Sequence, residues 1–214
     1  MEKPVRFDLA YTTMPWDAVD AVVFDIGNVL IRYAPDSFVE MVFPGDAQKQ
    51  RDMLSQVYGG RYWPAFDRGT MRYDEAAQRL HEEYGYPAED YRHALYGWLE
   101  LKTPMEEGWR AVKACRERGK KLCLLSNYPD EGYAYLTKKF ADRFSVFDGG
   151  VISCRCHCCK PEDAIYRALI RDCALTPAHT VFIDDTLMNV EGAMKNGIHG
   201  FHMHESGMMD RFFI

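Results

Sequence analysis

The apolar run Ala21-Val22-Val23-Phe24 ends on Asp25, and its length and composition predict a buried strand over residues 20–25. After Pro35 the pattern changes. Residues 36–100 are rich in Tyr, Arg and Glu and are broken at Pro44-Gly45, Gly59-Gly60 and Gly85-Tyr86-Pro87, which predicts several short amphipathic helices and no strand. From Pro104 strands and helices alternate again. Trp109, Val112 and Cys115 fall at helical spacing, Gly119 stops that helix, and a strand follows at 122–125. Ile165, Tyr166, Leu169, Ile170 and Cys173 form a second helical stripe, and Thr176-Pro177 turns the chain into a strand at 180–183. Val190, Ala193 and Met194 mark a last helix closed by Asn196-Gly197, with His202 and His204 alternating on a final strand. Residues 1–19 read as a lead-in, with Pro4, Pro15 and Trp16 packed on the core rather than held in regular structure.

This alternation points to an α/β fold, a Rossmann-like parallel sheet with helices on both faces. The helical stretch after the first strand reads as an inserted cap. The expected organisation is a core of residues 1–32 and 103–214 with a helical cap of residues 33–102. At 214 residues the chain has room for one large domain or for such a core and insertion. Hydrophobic residues at 47% and charged residues at 27% give an ordinary globular balance. The net charge of −6 argues against a general nucleic-acid partner, which calls for a basic face. No run is long enough to span a bilayer and none resembles a leader, so no membrane partner and a cytoplasmic location are expected. Seven cysteines, an odd number, predict free thiols rather than a disulfide framework. The pattern leaves the oligomeric state open.

A strand that ends on an aspartate delivers a fixed carboxylate to the edge of the sheet where open α/β folds bind ligands. Three further stretches carry groups suited to phosphate or metal: Leu124-Leu125-Ser126-Asn127, Lys160-Pro161, and Phe182-Ile183-Asp184-Asp185. Phosphoryl transfer needs a nucleophile, a cation to offset the phosphate charge, and donors around the transferring oxygens. Asp25 supplies a nucleophile, and Asp184 and Asp185 are the hard oxygen ligands that Mg²⁺ prefers.

In their order, these four stretches resemble the haloacid dehalogenase (HAD) superfamily, most of whose members are magnesium-dependent phosphatases. The resemblance implies that Asp25 attacks phosphorus and forms an aspartyl phosphate. It implies that Ser126 and the Asn127 backbone hold phosphate oxygens, and that Lys160 supplies a fixed positive charge beside the nucleophile. It implies Mg²⁺ held by Asp25, the Gly27 backbone carbonyl, Asp184 and Asp185, with Asn189 orienting the metal shell through water. The substrate it implies is a small phosphorylated metabolite.

One residue departs from the commonest pattern. Gly27 stands where most phosphatases of the superfamily carry a second Asp, the acid and base of the reaction, a role worth about 10²–10⁴-fold. Three readings follow. A phosphatase would favour leaving groups that depart with little protonation, such as sugar 1-phosphates. The segment Asp25-Ile26-Gly27-Asn28-Val29 resembles the glucose-1-phosphate phosphatase-like members, which also look similar at Trp63 and at Phe66-Asp67-Arg68-Gly69. Trp63, Asp67 and Arg68 are accordingly the candidate substrate contacts. The second reading is a 2-haloacid dehalogenase-type hydrolase, whose leaving halide needs no proton but which uses no metal. The third is a non-catalytic relative that binds a ligand or partner.

The run Cys154-Arg155-Cys156-His157-Cys158-Cys159 directly precedes Lys160. If extended, it places Cys154, Cys156 and Cys158 on one face, but the spacing is not that of a zinc site and favours ordinary loop thiols. A low-pKa thiol whose oxidation blocks the site is a further expectation. His157 occupies a place where relatives carry Gly. The many cap aromatics are expected chiefly as the core of a small helical bundle.

Overall fold

The structure, a computed structural model, describes residues 5–6, 13–14 and 16–213; Pro4 and Pro15 lie outside the described residues. A short antiparallel pair, β1 (Val5–Arg6) and β2 (Thr13–Met14), precedes the main sheet, in a stretch read from sequence as irregular. Trp16 is buried, as expected.

Five parallel strands form the sheet in the order β5-β4-β3-β6-β7. They are β3 (Ala21–Phe24), β4 (Lys121–Ser126), β5 (Gly149–Ile152), β6 (Thr180–Asp184) and β7 (His199–His202). The central strand β3 is wholly buried, and its side chains alternate between the two faces. Val22 and Phe24 join the core that includes α6 (Glu106–Glu117), while Ala21 and Val23 join the one under α10 (Asp163–Asp172) and α11 (Leu187–Lys195). A strand buried on both faces reads as the unbroken apolar run seen in the sequence.

The segment after β3 is helical throughout: α1 (Pro35–Val42), α2 (Ala47–Met53), a π-helical turn (Leu54–Tyr58), α3 (Trp63–Asp67), α4 (Tyr73–Tyr84) and α5 (Ala88–Glu100). In α4 the buried residues are Tyr73, Ala76, Ala77 and Leu80, and in α5 Tyr91, Ala94, Leu95, Trp98 and Leu99. Both sets follow the spacing of one helical face. The chain leaves and re-enters this segment through adjacent crossings, with the Arg32 N–H donating to the Thr103 carbonyl at 2.9 Å.

Four elements in this part of the chain were not legible in the sequence: β5, α7 (Asp130–Lys139), α8 (Ala141–Phe144), and the single helical turn α9 (Ser153–Cys156). The helix at Leu187–Lys195 is not the last, because α12 (Met208–Phe213) follows β7. His202 ends β7 and His204 lies beyond it, so the two do not share a strand.

Candidate functional site

Asp25, Ser126 and Asp184 stand at the carboxyl ends of the three central strands, which lie side by side. The loop after β3 is fixed by its backbone. The Asn28 N–H donates to the Ile31 carbonyl at 2.8 Å and the Ile31 N–H to the Ile26 carbonyl at 2.9 Å, with Asn28 itself left-handed at φ 50°. Helix α6 braces this loop from behind: the Trp109 indole donates to the Leu30 carbonyl at 2.9 Å.

Lys160 is the hub. Its ammonium lies 2.8 Å from Asp25 Oδ1 and 2.6 Å from Asp184 Oδ2, and it donates to the Leu125 carbonyl at 3.1 Å. Asn127 locks the loop that carries it, donating to the Lys160 carbonyl at 3.0 Å and accepting from the Lys160 N–H at 2.8 Å. Lys160 is 5% exposed, Asp25 6% and Asp184 0%. Burial pushes the Asp25 carboxyl up; Lys160 opposes this and Asp184 adds to it. The two carboxylates hold the Lys160 ammonium protonated against its burial.

Asp184 is fully engaged. Its Oδ1 accepts from the Thr186 N–H at 2.7 Å and from Asn189 Nδ2 at 3.1 Å, besides the ion pair at Oδ2. Asn189 thus touches Asp184 directly. Asp185 faces the pocket and accepts from Asn28 Nδ2 at 3.0 Å; burial pushes its carboxyl up. Asp25, Asp184 and Asp185 offer oxygens all within 4.8 Å of one another, and that group of potential ligands contains no His or Cys. Three carboxylates face one ammonium, an excess of buried negative charge that a divalent cation would offset.

These groups open on a pocket of about 280 Å³. Its floor is Asp25, Gly27, Ser126, Asn127, Lys160 and Asp185; Tyr33, Tyr58, Trp63, Asp67 and Trp98 form the wall above. The structure therefore brings Trp63 and Asp67 to the site but not Arg68. The Arg68 guanidinium pairs with Glu162 and donates to the His157 carbonyl at 3.2 Å. His157 Nδ1 in turn lies 2.7 Å from the Arg68 carbonyl oxygen. Arg72, bound to Asp130 at 2.8 Å and Glu131 at 2.9 Å, ties the helical segment to the core a second time.

The cysteine run is not extended, because Ser153–Cys156 forms a helical turn. All seven cysteines are free. Burial pushes the Cys154 and Cys159 thiols up to about 11 and raises Cys156 as well. These shifts run against a low-pKa thiol at Cys154, Cys156 and Cys159. His157 adopts φ 57°, the left-handed conformation for which glycine is suited.

Sequence reasoning missed Asn28, Tyr128 and Lys102. Lys102 is only 2% exposed, and its ammonium stands 3.6 Å from the Trp98 ring centre, with Tyr33, Phe38 and Tyr128 around it. Burial pushes this amine from its ordinary 10.5 down to about 6. Between those values the unfolded state binds the extra proton, so stability rises with pH. Replacing Lys102 with methionine is expected to raise stability at pH 7 by about 1–4 kcal/mol. The gain should shrink toward pH 10, as the pH nears the unfolded lysine's ordinary 10.5 and the unfolded state begins to lose its proton too. Urea melts of the two proteins at pH 7 and pH 10 check this; a loss at pH 7 would mean that the rings hold a charged ammonium.

Residues 19–197 match the haloacid dehalogenase-like hydrolases, and the chain belongs to that family. It is 23% identical over 186 residues to a sesquiterpene phosphatase of Aspergillus oryzae, a match covering 87% of this chain and 90% of that protein. It is also 26% identical over 196 residues to a drimenol cyclase of Aspergillus calidoustus. That match covers 90% of this chain but only 35% of the cyclase. The fold is similar to a HAD family enzyme of Bacteroides thetaiotaomicron solved with magnesium and inorganic phosphate. The TM-score is 0.65 at 19% identity, over 88% of this chain and 98% of that one. No helix among the described residues is long and apolar enough to cross a membrane.

Proposed function

We propose that the protein is a Mg²⁺-dependent phosphomonoester hydrolase acting through an aspartyl phosphate on a small phosphorylated metabolite. The observation that carries this reading is Lys160, held between Asp25 and Asp184 with Asp185 within ligating reach, all at the ends of adjacent strands. Asp25 is the nucleophile. Ser126, the Asn127 backbone and Lys160 receive the phosphoryl oxygens. Asp25, the Gly27 carbonyl and Asp185 face the pocket as ligands for Mg²⁺, with Asp184 behind them within reach and also anchoring Lys160. When bound, the cation offsets charge on the phosphoryl group. The acidic cluster disfavours the dehalogenase reading, since a halide site has no use for three carboxylates around one ammonium.

In this reading residues 33–102 act as a cap that excludes water and contacts the organic part of the substrate, with Trp63 and Asp67 on the contact surface. The pocket's aromatic wall suits a sugar ring or an apolar chain, and the sesquiterpene phosphatase relative favours including the latter in any test.

Phosphate release should be measured on aryl, sugar 1-, sugar 6- and prenyl monophosphates, with and without Mg²⁺, beside an Asp25→Asn control. Release that needs Mg²⁺ and disappears in the control is the expected result. No release from any ester, with halide release from 2-haloacids, would move the assignment to the dehalogenase reading.

A further inference from the structure

Gly27 leaves the reaction without a proton donor at the customary place, and the structure holds another carboxyl on the opposite wall. We propose that Asp67, from the helical segment, is the general acid and base of this hydrolase; the inference rests on the phosphatase reading above.

Asp67 ends α3, and its side chain lines the pocket that Asp25 opens into. Its Oδ1 is shut off from solvent and has no hydrogen-bond partner among the described residues. An unsatisfied buried carboxyl oxygen is costly unless a ligand completes it. The other groups around the pocket are unsuited. Lys160 is held protonated by two carboxylates and donates to a carbonyl besides. Tyr128 also presents an unpartnered hydroxyl, but burial pushes that phenol well above its ordinary value. It can donate a hydrogen bond and cannot serve as a base. Asp67 differs: burial pushes its carboxyl to about 7, with Lys160 opposing and Asp25 adding. A group poised near the working pH supplies both the acid and the base form.

The protons balance over two steps. In the first, Asp25 attacks phosphorus, the bond from phosphorus to the ester oxygen breaks, and that oxygen takes the Asp67 proton and leaves as the alcohol. In the second, the Asp67 carboxylate takes a proton from water. The water oxygen bonds to phosphorus, and the Asp25–phosphorus bond breaks with its electrons returning to Asp25. Phosphate leaves, and Asp67 is again protonated. With this carboxyl in place, the restriction to easily departing groups expected from Gly27 is lifted, and ordinary alkyl phosphates become substrates.

The test is Asp67→Asn with Mg²⁺, on p-nitrophenyl phosphate and on a series of alkyl phosphates. With alkyl esters kcat should fall about 10²–10⁴-fold with KM little changed. With the aryl ester, whose leaving group needs no proton, nitrophenol should appear in a burst stoichiometric with enzyme and then slow to a low steady rate. Asp67→Glu should recover part of the loss. So should Gly27→Asp placed in the Asp67→Asn protein, because the nearest atom to a Cβ added at Gly27 is Asp25 Oδ2, at 4.0 Å. If wild type releases phosphate and Asp67→Asn matches it on alkyl esters, the proposal is overturned and the phosphatase stands. An equal loss on both ester types without a burst overturns it too. Wild-type protein that releases no phosphate from any ester overturns the phosphatase reading, and this inference with it.

Discussion

Lys160→Met is expected to lose activity by at least about 10²–10³-fold and to be destabilised at pH 7 by about 3–5 kcal/mol, the cost of leaving buried charges unpaired. Asp25 and Asp184 share that one ammonium at 2.8 and 2.6 Å and are almost wholly out of solvent. Without it, the buried Asp25 carboxyl, already raised with Lys160 opposing, rises further above its unfolded value and holds its proton more tightly than the unfolded chain does. Stability of the variant should therefore recover as pH falls from 7 toward 5, whereas activity should not. Lys160→Arg should not rescue, because a planar guanidinium cannot replace a compact charge meeting Asp25, Asp184 and the Leu125 carbonyl from one point. Denaturant melts and phosphate release at both pH values check this. Unchanged stability at pH 7 would mean that the carboxylates find another partner.

Gly69→Ala is expected to cost about 2–5 kcal/mol, combining left-handed strain with a clash. Gly69 has φ 67°, and an added Cβ would stand 2.2 Å from the Cys154 carbonyl oxygen. Here the segment carrying Asp67 rests on the loop carrying Lys160, so relief of the clash must move one against the other. kcat should fall and KM rise together, an outcome that simple strain would not produce. Gly85→Ala separates the two effects. Gly85 is also left-handed, at φ 89°, but nothing lies within 4 Å of an added Cβ there. It should show only the smaller conformational cost and keep full activity.

Much of the site was legible because its residues sit within a step or two of strand ends that long apolar runs reveal. Phe24 and Ile183 are wholly buried, so Asp25 and Asp184 had to emerge at the same edge. β5 escaped because Gly149-Gly150 carries almost no strand signal and only Val151 and Ile152 remain to suggest one. Lys102 escaped for a different reason: a lysine between two helices reads as solvated, and only tertiary packing puts four rings around it. Asp67 and Arg68 are neighbours in one motif, yet one faces the pocket and the other pairs with Glu162 across the surface. Sequence places such residues on the same short helix and its end, but which of them turns inward depends on the loop it meets.

The order of strands in the sheet also bears on how the molecule acquires its shape. β3 pairs Val22 with Leu122 on one side and with Val181 on the other. The earliest strand of the sheet thus finds both neighbours only after most of the chain has been synthesised. Such distant pairings make folding slow relative to proteins with local contacts. A nascent chain halted before Thr180 would expose one edge of its most apolar strand, a template for association with other chains. It would also hold Asp25 without Asp184 across from it. Fragments ending near residue 175 should therefore aggregate and show no activity, and catalytic competence should appear in refolding no earlier than closure of the β3–β6 pair.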